Sequence, residues 1–224
     1  MLKKSMKITF VLLTVLMFFY SSCKQVNPLY NAVSELRSQL YTASNENYKL
    51  DACYGFIETP YDNDAKVQQK VYVLTFRLYD KESDYAEYSI SFTHSGKTYS
   101  QNFKLNPVSH TVTARIEIEN FSEESFTATV KKAQDSQTLT FNSIIPNNTI
   151  DYRTALDKLK ENQSELISTY TDTNGNFNAE IRLRIIVKNQ RPYWYVGIAS
   201  GKNNLKALLI DGFSGQTLAI REIF

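Results

Sequence analysis

Apolar and polar residues alternate through most of residues 47–145, and this alternation is the pattern of half-buried β-strands. Within Val71–Leu78, valines and a threonine occupy one set of alternate positions, while aromatic residues and leucines occupy the other. The remaining strand-like runs are Tyr48–Glu58, Tyr85–Thr93, Thr98–Leu105, Thr111–Glu119, Ser125–Lys131 and Thr138–Ile144. Seven short strands at intervals of about 10 to 15 residues predict an antiparallel β-sandwich over residues 47–145.

Residues 28–43 instead place apolar residues three or four positions apart, which is the spacing of one helix face. These apolar residues are Leu29, Val33, Leu36 and Leu40. Asn27 before Pro28 fits an N-cap followed by proline in the first helical turn. We therefore predict an amphipathic helix of about four turns that packs against the following sheet. Binding of a partner is the alternative use of such an apolar stripe.

The segment Ile145–Asn148 contains a proline and two asparagines, which makes it the best candidate for a domain boundary. A second helix is predicted over Ile150–Leu166, with Tyr152, Ala155, Leu156 and Leu159 on one face. Four further strand-like runs follow it: Asn178–Lys188, Pro192–Ala199, Leu205–Asp211 and Thr217–Ile223. A helix followed by a small antiparallel sheet is an α+β unit, which we assign to residues 148–224.

The predicted fold class is therefore mainly β with an α+β component. Residues 23–46 form the linker and the N-terminal helix, and residues 47–145 form the sandwich. In outline this sandwich is similar to immunoglobulin-like modules. It lacks their cysteine pair, because the whole chain has only two cysteines and the first of them, Cys23, precedes the sandwich.

The N-terminus has the layout of an export signal, with Lys3, Lys4 and Lys7 ahead of an apolar run. The run Ile8–Tyr20 has 13 residues, whereas a helix that spans a bilayer needs roughly 20. Ser21, Ser22 and Cys23 follow it, and this stretch resembles the lipobox of bacterial lipoproteins, although Tyr20 stands where that family prefers leucine. The resemblance implies a signal peptide over residues 1–22, a lipid on Cys23 and anchoring in the bacterial cell envelope outside the cytoplasm. The alternatives are an ordinary secretory signal that is cut near Ser22 and a core helix in which the cysteine occurs by chance.

Lipidation of Cys23 would leave Cys53 without a disulfide partner, as a buried structural thiol. A Cys23–Cys53 disulfide is the competing interpretation in an oxidising compartment.

The charge of the chain excludes nucleic acid as a partner. The chain has 25 basic and 23 acidic residues, and three of the basic residues lie in the signal segment. The remaining chain is close to neutral, so it has no basic footprint for nucleic acid.

The C-terminal unit contains a short motif in two adjacent stretches, RPYWYVGI (191–198) and LKALLIDGFSGQTLAI (205–220). Asp211 is expected to accept hydrogen bonds from amides of its own turn, and Gly215 to adopt a positive φ without steric cost. The motif resembles the PepSY domain, whose ending is matched by Ile210, Asp211, Gly215, Gln216, Thr217 and Leu218. PepSY-like domains occur in peptidase propeptides and envelope proteins. The resemblance therefore implies inhibition or regulation of a peptidase and supplies no catalytic residue.

Three consecutive aromatic residues precede this turn. On a strand, Tyr193 and Tyr195 share one face and Trp194 points to the other. We predict that Trp194 lies in the core and that the two tyrosines are candidates for contact with a partner, because tyrosine combines an apolar body with a polar tip.

Patterns for catalysis and for metal or cofactor binding are weak. The histidines His94 and His110 stand apart, and no HExxH motif occurs. The stretch DTNGNFNAE (172–180) begins like a calcium loop, but Phe177 replaces the glycine of the sharp turn.

We therefore predict a non-enzymatic envelope lipoprotein that has no cofactor and binds a protein partner, with regulation of an extracytoplasmic peptidase as its role. The alternative is a structural or surface protein whose sandwich binds a glycan or peptide.

Overall fold

The computed structural model describes residues 27–59, 69–79, 87–106, 111–201 and 204–223. The signal segment, Cys23 and His110 lie outside these residues. The N-terminal strands are β1 Val33–Ser44, β2 Lys49–Thr59, β3 Gln69–Tyr79, β4 Tyr88–His94, β5 Lys97–Asn102, β6 Lys104–Asn106, β7 Thr111–Glu117, β8 Ser125–Lys132 and β9 Asp135–Ser143. The C-terminal elements are helices α1 Tyr152–Asn162 and α2 Ser164–Ser168, followed by β10 Glu180–Lys188, β11 Arg191–Ser200, β12 Asn204–Asp211 and β13 Thr217–Ile223. The prediction of a mainly β protein is confirmed.

A long sheet connects the two halves of the chain. Its strand order is β13-β12-β11-β10-β1-β2-β3-β7-β6, and the strands β9, β8, β4 and β5 continue from β1 on a separate branch. The N-terminal half of β1 pairs with β10 in parallel, and its C-terminal half pairs with β9. Strand β2 pairs with β1 along nearly its whole length. Strand β1 therefore belongs to both halves of the fold.

The predicted N-terminal helix is wrong. The chain forms a short 3₁₀ helix at Pro28–Tyr30, capped by Asn27, and then enters the strand Val33–Ser44. Val33 to Leu36 are all buried at the start of this strand, and its ladder with β10 is irregular between Val33 and Glu35. Ser38 is an extra residue in the ladder, because Arg37 pairs with Gly55 and Gln39 pairs with Tyr54. Four consecutive buried residues and these two irregularities disturb the period of two, and the remaining leucine spacing imitates a helix.

Two hydrophobic cores lie on the same side of the long sheet. The first core contains Leu50, Ala52 and Tyr54 of β2 together with side chains of β3, β4, β7, β8 and β9. The second core packs Leu156 and Leu159 of α1 against β1, β10, β11 and β12. Successive residues on the covered side of β2 belong to different cores, since Tyr54 lies in the first core and Phe56 in the second. The opposite side of the long sheet is covered by neither the helices nor the β4, β5, β8 and β9 layer.

Within the described residues, no helix has both the length and the apolar character needed to cross a membrane.

Candidate partner-binding face

One side of strands β10–β13, β1–β3 and β7 is covered by no described element, and we call it the open face. The strand register identifies the residues that share it. Arg37 of β1 stands opposite Gly55 of β2 and Arg184 of β10, and Arg184 stands opposite Tyr195 of β11. Because directly opposed residues point to the same side of a sheet, one row of side chains crosses the junction between the two halves.

The aromatic triplet divides between the two sides of the sheet. Trp194 is 2% exposed in the second core, and its indole Nε1 donates a hydrogen bond to the Ile150 carbonyl at 2.9 Å. Tyr193 and Tyr195 point to the open face and are half-buried there. Ile186, which stands opposite Tyr193, is 44% exposed. This part of the open face therefore combines aromatic and aliphatic surface.

A buried carboxylate lies at the centre of the open face. Glu35 accepts a hydrogen bond from Arg37 Nε at 2.7 Å and another from Arg184 Nη2 at 3.0 Å. The Glu35 side chain is 8% exposed, whereas those of Arg37 and Arg184 are 41% and 43% exposed. Nε of Arg184 has no acceptor among the described residues. One carboxylate thus holds two guanidinium groups, which leaves excess positive charge at the surface.

A shallow cavity of about 240 Å³ lies beside this cluster and is lined by Glu35, Arg37, Cys53, Thr75 and Arg115, among others. Gly55 also lines this cavity. A Cβ atom at Gly55 would lie 1.7 Å from the Leu36 carbonyl oxygen, so the close approach of β1 at the bulge requires glycine. Burial raises the pKa of the Cys53 thiol, which keeps it protonated at neutral pH.

Seven of the eight arginines in the chain belong to the open face by strand register. They are Arg37, Arg77, Arg115, Arg182, Arg184, Arg191 and Arg221. Lys49, Lys104 and Lys188 share the face, and the acidic residues on it are Glu35, Asp51, Glu117, Glu180 and Asp211. The remaining arginine, Arg153, lies on helix α1. The described part of the open face thus carries ten basic and five acidic side chains.

The predicted turn residues occupy one end of the C-terminal sheet. Asp211 Oδ1 accepts hydrogen bonds from the backbone amides of Phe213 at 3.0 Å and Ser214 at 2.9 Å, while Arg191 Nη2 donates to Oδ2 at 2.6 Å. These hydrogen bonds, with that from the Ser214 amide foremost, lower the pKa of Asp211 to about 2. Gly215 has a φ of 74°, and a Cβ there would lie 2.9 Å from Lys158 Cβ. The turn therefore packs closely against α1.

Other candidate positions show ordinary structural roles. Oδ1 of Asp172 accepts hydrogen bonds from the backbone amides of Asn174 and Asn176, so loop amides already use this oxygen. His94 lies 3.3 Å from Glu123. Among the described residues, no three His, Cys, Asp or Glu side chains are grouped to hold a metal ion.

Sequence reasoning identified Tyr193 and Tyr195 but missed the arginines. A signal was present in β10, where Glu180, Arg182 and Arg184 alternate with buried Ile181 and Leu183. The strand pairing is what brings these arginines beside Arg37 and Arg115.

Comparison with models of known protein families, with curated proteins and with solved structures finds no match to this chain. The resemblances to a lipobox and to a PepSY domain therefore stay predictions from the sequence.

Proposed function

We propose that this protein is a non-enzymatic lipoprotein of the bacterial cell envelope that binds a protein partner through its open face. The observation that carries the proposal is the position of Tyr193 and Tyr195. Both tyrosines lie on a broad sheet surface that none of the described elements covers, whereas both hydrophobic cores lie on the other side. Tyrosine and arginine are enriched at protein interfaces, and both types are present on this surface.

The proposed anchor is a lipid on Cys23. The basic residues at positions 3, 4 and 7, the apolar run of 13 residues and the small residues before the cysteine support cleavage and lipidation at this point. Two acyl chains bind a membrane far more stably than one chain does. The body of the protein would then stand outside the cytoplasm, with its open face available to other envelope proteins.

The proposed modules are a sandwich over residues 47–145 and a PepSY-like unit over residues 148–224. The placement of α1 against β10–β12 and the Asp211 turn are compatible with the second assignment. Restraint of an extracytoplasmic peptidase is the partner role that the PepSY resemblance supports.

Two measurements test this proposal. The intact mass of the membrane-extracted protein should equal that of residues 23–224 plus an acyl adduct on Cys23. In a pull-down from detergent-solubilised membranes, the wild-type protein should recover a protein partner, and the double variant Tyr193→Ala/Tyr195→Ala should lose it. Tyr152→Ala is the matched control, because this half-buried tyrosine lies on α1. Equal recovery by all three proteins would count against the open face as the binding surface.

A second candidate function is favoured by a groove on the opposite side. This groove of about 430 Å³ lies between the two cores, and its lining combines polar residues such as Gln39 and Asp151 with apolar and aromatic residues such as Ile145 and Tyr152. Such a lining suits a glycan or a peptide. Retention of a glycan without a protein partner in the same pull-down would favour this function.

A further inference from the structure

We infer that the ligand of the open face is an acidic polypeptide segment, recognised through carboxylates by the arginines that surround Glu35. This inference rests on the proposed function and names the chemistry of the partner. Three observations carry it: the segregation of arginine to one face, the arrangement of the guanidinium groups, and the lack of internal partners for several of them.

The arginines of the long sheet all lie on the same side of it. Seven arginines lie on the open face, and the eighth, Arg153, lies on α1. The arginine guanidinium is a planar fork that binds a carboxylate through two parallel hydrogen bonds, which a lysine ammonium does not match. A face that only needed solubility would not require this residue type.

The arrangement places like charges next to one another. Arg37 and Arg184 are direct neighbours on β1 and β10 and share the single carboxylate of Glu35. Arg115 stands beside Thr75, and Arg77 is the next residue on the same face of β3, opposite Asp51 of β2 but without an ion pair to it within 4.0 Å. Arg115 lines the cavity together with Glu35 and Arg37. Adjacent like charges on a sheet destabilise the folded state, and the single carboxylate of Glu35 neutralises only one of the two guanidinium charges beside it.

The pairing is incomplete. Glu180 binds Arg182, and Asp211 binds Arg191. Among the described residues, Arg77, Arg115 and Arg221 have no ion pair within 4.0 Å and are exposed. Carboxylates from another chain would supply the missing partners. Tyr195, which is the direct neighbour of Arg184, would add apolar contact to the same segment.

The test measures how tightly the full chain, in detergent, binds a labelled oligoglutamate peptide. The peptide is about as long as one strand, and an oligoglutamine peptide of equal length is the control probe. Oligoglutamate should bind, its affinity should fall as salt is added, and oligoglutamine should bind at least about tenfold more weakly. Arg77→Gln/Arg115→Gln should weaken oligoglutamate binding by about tenfold or more, because each charge-assisted contact is strong. Neither residue has an ion pair in the described structure, so thermal unfolding should stay close to that of the wild type.

Arg153→Gln is the matched control, because it removes a guanidinium from outside the open face, and it should leave oligoglutamate binding unchanged. Equal binding of the two peptides would overturn the inference. So would equal losses in the Arg77/Arg115 and Arg153 variants, or binding to phosphatidylglycerol vesicles without binding to oligoglutamate.

The pull-down separates this inference from the proposed function. If the partner is lost with the Tyr193/Tyr195 variant but kept with the Arg77/Arg115 variant, the acidic chemistry is wrong and the open face remains the binding surface. If both variants keep the partner, the proposed function fails as well.

Discussion

Asp211 shows at the scale of one residue how a buried charge organises the C-terminal sheet. Its side chain is 3% exposed, and it accepts hydrogen bonds from two backbone amides, from Ser214 Oγ and from Arg191. A buried carboxylate costs free energy unless hydrogen bonds compensate it, and here they do. The ionised form of Asp211 is therefore the form that the fold stabilises.

This charge makes stability depend on pH in a defined direction. The pKa of Asp211 falls from 3.8 to about 2 on folding, so its contribution of about 2 kcal/mol is complete above pH 4 and is lost as pH falls toward 2. We expect Asp211→Asn to lower the free energy of unfolding by about that amount at pH 7. Urea unfolding of both proteins from pH 7 down to pH 2 measures the difference, which should shrink toward zero at the acidic end.

Glu161→Gln is the control for this series. Glu161 lies on the helix surface, where its side chain is 63% exposed and pairs with Lys158. Exposed ion pairs contribute little to stability. A pH-independent effect of Asp211→Asn, or an equal pH-dependent effect of Glu161→Gln, would contradict the role given to Asp211.

At the scale of elements, the β12–β13 turn packs against helix α1 at Gly215. Gly215 and Gly175 both have positive φ angles, of 74° and 83°. A Cβ at Gly215 would meet the Lys158 side chain at 2.6 Å, whereas one at Gly175 would meet no atom within 4 Å. A substitution at either glycine would strain the backbone, but only a substitution at Gly215 would also bring the new side chain into contact with a neighbour.

Gly175→Ala should cost about 1 kcal/mol of stability, because alanine pays for the left-handed backbone alone. Gly215→Ala should cost more, by about 1 kcal/mol or above, because α1 or the turn must also shift. Chemical denaturation of both variants measures these costs. Equal costs would mean that Lys158 moves away freely and that the turn does not fix the position of the helix.

The elements also show what the sequence predicted and what it did not. Strands with one covered face, such as β7 and β8, kept a period of two and were found from the sequence. Strand β1 was mistaken for a helix, since its first four residues are all buried and Ser38 adds a residue to the ladder. The two tyrosines of the candidate face follow from local alternation alone. The arginine cluster depends on the parallel pairing of β1 with β10, which joins residues far apart in the sequence.

At the scale of the whole molecule, β1 and β2 run through both cores, so we expect the two halves to unfold together. Phe141→Ala in the first core should cost about 3 to 5 kcal/mol. Trp194, the single tryptophan, reports on the second core. Its fluorescence transition should shift to lower denaturant as far as the circular dichroism transition does.

Leu156→Ala is the reciprocal variant, because Leu156 is fully buried in the second core. It should also move both transitions together. Two separate transitions, with the Trp194 signal unaffected by Phe141→Ala, would show that each core folds by itself and that β1 does not couple them.

The proposal that the open face contacts a partner in the envelope is tested most directly by site-specific photocrosslinking. A photoreactive residue is placed at position 195 on the open face in one protein and at the exposed position Lys160 on α1 in another. After irradiation of intact cells, we predict a protein adduct from position 195 and none from position 160. An adduct from position 160 alone, or equal adducts from both positions, would contradict the claim.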